Sequence, residues 1–365
     1  MFPEEPKRSD GGVQRSHFPP GSILGGRYEV VRCLGESARS AVFLCEDLLL
    51  DRKPFGVKVL WLPKKLLDED DTLLQRFKNE AAICHRIRHP NVVASYEYFS
   101  GENFFAYSMD YISGGSLADL MESKKPLSMV DIMHILSQAC CGVFAIHSAG
   151  IIHRDIKPDN ILVSTNGEIK VADLGVARLD DGRKLTAQGA ILGTMEYCSP
   201  EYLMHGSLDM RSDIYALGLL GYELITGTKP YQGATLLATL RERLTKDPVP
   251  PDQRAPTCPP ELSAVIMRAM RRDPSERFQS AGEMFESLRT ILEARVQSTS
   301  QVLRRPAAAG ALVGSGPRSS PSGRRASAPR RGGDALVSFL RILLIVVVLA
   351  LGGYALLMYL YPFPR

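Results

Sequence analysis

The sequence predicts an α+β protein of two lobes, a β-rich front and a mainly helical back, with a basic linker and one C-terminal membrane helix appended. Three observations carry this reading. Apolar residues alternate with a period of two in several runs up to Tyr111, as half-buried strands do, and change to helical spacing from Ser116 onward. Near Val296 the pattern gives way to Ser, Arg, Pro, Gly and Ala with few large apolar side chains. Behind that stretch, Ile342 to Tyr361 is an uncharged apolar run of about 20 residues, the length a helix needs to cross a bilayer.

Residues 1–22 read as a flexible tail, rich in Gly, Pro and charge, with no apolar core of the kind a secretory signal carries. Residues 23–111 form the expected small lobe. Its strands are expected at Tyr28–Arg32, Ala41–Leu44, Phe55–Leu60, near Val92–Tyr98 and at Phe104–Tyr111, with a helix over Thr72–Arg88 from the spacing of Leu74, Phe77, Ala81 and Ile87. Residues 112–295 form the large lobe, with helical runs at Val130–Ala149, Arg211–Thr226 and Leu262–Met270. Strands followed by helices in this way imply two packed layers with a cleft between them. Residues 296–338 cannot bury enough apolar surface to fold and are expected to be a disordered linker. Residues 339–361 are the expected membrane helix and 362–365 a short tail. Arg324, Arg325, Arg330, Arg331 and Arg341 precede the helix, so the positive-inside rule keeps the N-terminal side cytoplasmic. The chain is expected to be tail-anchored.

Charge and cysteine usage narrow the function. Of 44 basic and 40 acidic residues, nine arginines and one aspartate lie from Val296 onward, leaving 35 basic against 39 acidic before it. The basic stretch abuts the apolar run, so it faces a bilayer and no nucleic-acid partner is expected. The seven cysteines form no CxxC pair and read as reduced thiols of a cytoplasmic domain.

The chemistry is densest in IIHRDIKPDNILV, Ile151 to Val163, where Asp155, Lys157 and Asn160 share a short loop between a helix and a strand. A carboxylate, an ammonium and an amide at this spacing can converge on one phosphoryl group. VADLGVA follows, with Asp173 after a strand and before a glycine. These residues resemble the signature set of the eukaryotic-type Ser/Thr protein kinases, and in particular their bacterial membrane-anchored branch. The resemblance runs from about Leu24 to Ala294 in the family's order, through Gly35, Lys58, Glu80, His153–Asn160, Asp173–Gly175, Ser199–Glu201, Asp213 and Arg277. It implies the two-lobed protein kinase fold and Mg-ATP, or Mn-ATP, as phosphate donor.

The roles that the resemblance implies are specific. Lys58 contacts the α- and β-phosphates and pairs with Glu80. Asp155 receives or orients the acceptor hydroxyl proton, and Lys157 steadies the transferring phosphoryl group. Asn160 and Asp173 hold Mg²⁺ or Mn²⁺. The adenine lies between Leu34 and Val42 above and Leu162 below, with Met109 as gatekeeper and backbone groups near Asp110 and Ile112 at the base edge. Glu201 and Arg277 form a structural ion pair, and Asp213 fixes the backbone of the catalytic loop. Asp-Ile-Lys in that loop, with Gly193–Thr194, points to Ser or Thr as acceptor.

Two stretches depart from the pattern. Against Gly-x-Gly-x-x-Gly-x-Val, the phosphate loop reads Gly35-x-Ser37-x-x-Ser40-x-Val42. If serine must adopt a left-handed conformation there, each costs roughly 1–2 kcal/mol, and ATP affinity is expected to fall. In the activation segment, Thr186 is the single hydroxyl between Leu174 and Gly193. Arg154, which in the family receives an activation-loop phosphate, makes Thr186 the expected autophosphorylation site. The whole reads as a single-pass, membrane-anchored kinase of cytoplasmic proteins, expected in a bacterial cell membrane, with the alternative of a pseudokinase that binds ATP as a scaffold. Its activating signal is expected to be cytoplasmic, intramembrane or delivered by homodimer formation.

Overall fold

The computed structural model describes residues 18–37, 39–62, 71–123, 125–174 and 196–304, and of these only the backbone for 71–72 and 296–304. The front residues build a six-stranded antiparallel sheet from β1 (Ile23–Leu24), β2 (Tyr28–Glu36), β3 (Ser40–Asp47), β4 (Lys53–Trp61), β5 (Ser95–Ser100) and β6 (Phe104–Asp110), in the order β1-β2-β3-β4-β6-β5. Strand β3 shows why: Ala41, Phe43, Cys45 and Asp47 are buried and the residues between them are only half-buried, a strict period of two. The Asp51 and Arg52 backbones take φ of 45° and 57° in the turn from β3 to β4, the left-handed geometry that matches the twist of a tight hairpin.

One face of the sheet packs Tyr28, Val30, Phe43, Phe55 and Val57 into its own core. The other turns Leu60, Tyr107 and Met109 toward helix α1 (Asp71–Arg86), which contributes Phe77 and Ala81 to the same cluster. Leu74, Phe77, Ala81 and Cys84 recur three and four residues apart and make one buried stripe on α1. The strand expected from Val92 begins only at Ser95. Val92 instead bridges Val171 in parallel, and Val93 N–H donates to the Val171 carbonyl at 2.9 Å, tying this segment to the helical lobe.

That lobe comprises α2 (Leu117–Glu122), α3 (Met129–Ser148), the hairpin β7 (Ile161–Val163) and β8 (Ile169–Val171), α4 (Pro200–His205), α5 (Met210–Thr226), α6 (Leu236–Thr245), α7 (Pro251–Arg254), α8 (Pro260–Ala269) and α9 (Ala281–Arg304). Helix α3 starts on a reciprocal cap between Ser128 and Asp131, and α5 ends where Gly227 takes φ 67°. Both are apolar around most of their circumference because they are enclosed. Among the described residues α3 is the one helix long and apolar enough to span a bilayer, but 56% of its apolar window is buried inside the lobe, so it is a core helix.

Helix α9 corrects one boundary. It runs past Val296 to Arg304, into the stretch expected as linker. VQSTSQVLR contains neither Gly nor Pro, and the first proline is Pro306, so nothing stops the helix earlier. The rest of the linker and the membrane helix at 339–361 lie outside the described residues.

Among the lobe's described glycines, Gly142 in α3 leaves the least room for a side chain. A Cβ there would lie 2.3 Å from the Asn91 carbonyl oxygen and 2.8 Å from Val171 Cγ2. The first of these neighbours is backbone and cannot rotate away. Gly142→Ala should therefore destabilise by about 1–3 kcal/mol, a fall in Tm of roughly 2–12 °C. An unchanged melting curve would show that α3 can shift without cost.

Candidate active site

Lys58 on β4 and Tyr107 on β6 are register partners, so their side chains leave the sheet on the same face. That face meets α1 at Glu80, which is only 5% exposed and lies within the helix's apolar stripe. A carboxylate so placed requires partners. Lys58 Nζ donates to Glu80 Oε1 at 2.7 Å and Tyr107 Oη donates to the same oxygen at 2.8 Å. Lys58 also reaches Asp173 Oδ1 at 2.9 Å, across the cleft. Burial alone would lower the Lys58 pKa, but the carboxylates of Asp173 and Glu80 outweigh it and hold the ammonium charged. The same ammonium depresses the Asp173 pKa against the opposing effect of burial.

Opposite, the residues between α3 and β7 form a loop held from beneath by Asp213. Its Oδ2 accepts from the His153 N–H at 2.7 Å and from His147 Nε2 at 2.8 Å, and its Oδ1 accepts from the Arg154 N–H at 2.8 Å. These bonds hold Arg154 at φ 68°, a left-handed conformation that costs about 1–3 kcal/mol and persists only when its surroundings impose it. Asp173 is in the same region, at φ 55°. His153 joins the two: its Nδ1 accepts from the Asp155 N–H at 3.3 Å while Nε2 donates to the Ala172 carbonyl at 3.0 Å.

Within the loop, Asn160 Nδ2 donates to the Asp155 carbonyl at 2.7 Å and to its Oδ2 at 2.8 Å. Lys157 Nζ lies 3.5 Å from that same Oδ2. The Asn160 amide oxygen makes neither bond. A carboxylate at Asp173 and an amide oxygen at Asn160 are hard oxygen donors, the kind Mg²⁺ accepts, and Mg²⁺ needs only one or two protein carboxylates when phosphate oxygens and water complete its shell. Among the described residues no cluster of three His, Cys, Asp or Glu offers a denser cage. The donor set therefore fits a phosphate-bound Mg²⁺.

The apolar walls converge in part. Val42 and Leu162 pack against the cluster that holds Met109 and Ala172, whereas Leu34 on β2 is 38% exposed and belongs to no cluster. Gly56 is the register partner of Met109, and a Cβ there would lie 3.2 Å from the Met109 side chain, so the glycine lets Met109 lie against the sheet. At the base edge the Asp110 N–H is taken by the Ala94 carbonyl at 3.0 Å, so that N–H is committed inside the fold. The Asp110 carboxylate is occupied by Lys170 and Tyr96. Ile112 lies beyond the end of β6, half-buried and outside the ladder.

Gly35 lies one residue before the end of β2, paired with Val42. Ser37 and Ser40 follow without left-handed backbone, since among the described residues the positive-φ residues other than glycine are Asp51, Arg52, Arg154 and Asp173. The conformational cost attached to serine at these positions is therefore absent. Arg277 is fully buried, with its guanidinium forked on Glu201 at 2.9 and 2.7 Å. Thr186 and Thr194 lie outside the described residues. Tyr107, His147, Gly56 and Ser212, whose hydroxyl donates to Glu201 at 2.7 Å, were not found by sequence reasoning. Each depends on strand register or on helix-to-helix approach, and no spacing in the chain reveals it.

With this geometry in place, the similarities are informative. The protein kinase domain family matches residues 28–288. Serine/threonine-protein kinase PknB of Mycolicibacterium smegmatis is 36% identical over 286 residues, covering 77% of this chain and 45% of that protein. Serine/threonine-protein kinase PrkC of Bacillus subtilis is 31% identical over 274 residues, 75% of this chain and 42% of its own. Serine/threonine-protein kinase pkn3 of Myxococcus xanthus is 32% identical over 311 residues, 82% of this chain and 56% of its own. The chain thus spans about half the length of the curated relatives it matches.

Proposed function

The chain belongs to the protein kinase family, and from that premise we propose that it transfers the γ-phosphate of Mg-ATP to serine or threonine hydroxyls of cytoplasmic proteins while residues 339–361 hold it in a membrane. The observation that carries the proposal is the Lys58–Glu80 pair, formed at 2.7 Å, with Asp173 on the same ammonium and Asp155, Lys157 and Asn160 across the cleft. A kinase needs both the lysine–glutamate pair and the metal-binding aspartate in place.

The roles follow from position. Lys58, fixed by Glu80, presents positive charge to the donor phosphates. Asp155 orients the acceptor hydroxyl and takes its proton as the oxygen bonds to the γ-phosphorus and the bond from that phosphorus to the β–γ bridging oxygen breaks. Lys157, beside Asp155, neutralises charge that gathers on the transferring group. Asn160 and Asp173 would hold Mg²⁺, which would supply further neutralisation of the donor's phosphate charge. Arg154 and Thr186 form the proposed regulatory pair, with phosphate on Thr186 binding Arg154.

The full chain, mixed with lipid vesicles and Mg-ATP, should float with the lipid and incorporate phosphate into protein substrates and into itself at Thr186. Chelating the metal should stop incorporation. A protein that binds ATP but never transfers phosphate would replace this reading with the pseudokinase alternative.

A further inference from the structure

The loop between β2 and β3 carries serines where the family pattern has glycines, and the two serines bind each other. The Ser37 N–H donates to the Ser40 carbonyl at 2.7 Å. The Ser37 hydroxyl lies 2.8 Å from the Ser40 hydroxyl and donates to the Ser40 carbonyl at 3.1 Å, while the Ser40 N–H donates to Ser37 Oγ at 3.2 Å. Just beside this knot the Trp61 N–H donates to the Arg39 carbonyl at 2.8 Å, fastening the loop to β4.

We propose that Ser37 and Ser40 form a side-chain clasp that holds the phosphate loop in its hairpin form before ATP arrives, so that restoring the family's glycines weakens ATP binding instead of strengthening it. The inference concerns the nucleotide site and rests on reading the chain as an ATP-dependent kinase. Glycine gives a loop access to phosphate but also the largest loss of backbone freedom when the loop is ordered. A loop already closed by its own hydrogen bonds meets the ligand with most of that entropy gone, which raises affinity without adding a contact to the ligand. Both serines keep ordinary backbone geometry, so the clasp carries no strain to offset the gain.

The test is ATP binding and turnover by the full chain carrying S37G/S40G, S37A/S40A or S37T/S40T. The glycine pair should raise the Kd for ATP about tenfold, equivalent to ~1.4 kcal/mol, with KM for ATP rising in step and kcat/KM falling. The alanine pair should also bind more weakly, because it too lacks the hydroxyls. The threonine pair keeps them and should return affinity to within about twofold of wild type. Equal or tighter binding by the glycine pair, or normal binding by the alanine pair, would overturn the clasp while leaving the kinase reading intact. Wild-type protein with no affinity for ATP would overturn both.

Discussion

Replacing Asp155 with asparagine should slow phosphate transfer by about a hundredfold to ten-thousandfold, the range expected when a positioned proton acceptor is lost. The substitution is nearly isosteric, and its side-chain oxygen can still accept from Asn160 as Asp155 Oδ2 does now at 2.8 Å. The loop should keep its form, because its geometry is imposed by Asp213 beneath and by His153 within. What is lost is the carboxylate charge beside Lys157, 3.5 Å away, to which the proposed transfer assigns the hydroxyl proton. Single-turnover transfer at saturating Mg-ATP isolates this step, with ATP affinity measured on the same preparation as the control. A rate within tenfold of wild type would remove Asp155 from the role given to it. A collapse of ATP affinity instead would place Asp155 on the donor side of the site.

Much of this site is legible in the chain because phosphoryl transfer uses a few charged residues in short loops. Asp155, Lys157 and Asn160 lie within six positions, and three of the pairwise contacts the fold makes are set inside that loop. Lys58 and Glu80 are recognisable through their place in the family's order, yet the sequence does not show that they touch. That contact requires α1 to present Glu80 inward, which its apolar stripe foreshadows, and requires Tyr107 to share the oxygen, which only strand register decides. The phosphate loop was legible as a place and not as a conformation. A glycine pattern says what backbone is allowed, while Ser37 and Ser40 find an ordinary one by bonding to each other. The end of α9 lies later than composition suggests for a related reason: Val296 marks a change of composition, but the residues that stop a helix locally, glycine and proline, come only after Arg304.

The largest stability effect should come from Arg277, which touches no reacting atom. Its guanidinium is enclosed, donates to the Arg271, Arg211 and Arg272 carbonyls at 2.7, 2.9 and 3.0 Å, forks onto Glu201 and lies 4.8 Å over the Tyr215 ring. Removing it takes the charged partner from Glu201, which keeps only the Ser212 hydroxyl, and one donor from each of three backbone carbonyls. Breaking a buried pair from one side costs about 3–5 kcal/mol, so Arg277→Met should lower Tm by roughly 6–20 °C. Adding Glu201→Leu should recover part of the loss, since an apolar pair has no uncompensated charge, and the double-mutant cycle reports the coupling. The pair also has a pH signature. Burial pushes the Glu201 carboxyl up, but the Arg277 fork and the Ser212 hydroxyl outweigh it, and its pKa stands below the ordinary value of 4.5. A depressed carboxylate stabilises the fold fully above that ordinary value and loses its contribution as pH falls through the lowered one. The stability of wild type should therefore fall more steeply below about pH 4.5 than that of Glu201→Gln, which cannot titrate at this position. Parallel acid profiles for the two proteins would mean that Arg277 is held by the three carbonyls, and that the carboxylate contributes nothing to the fold.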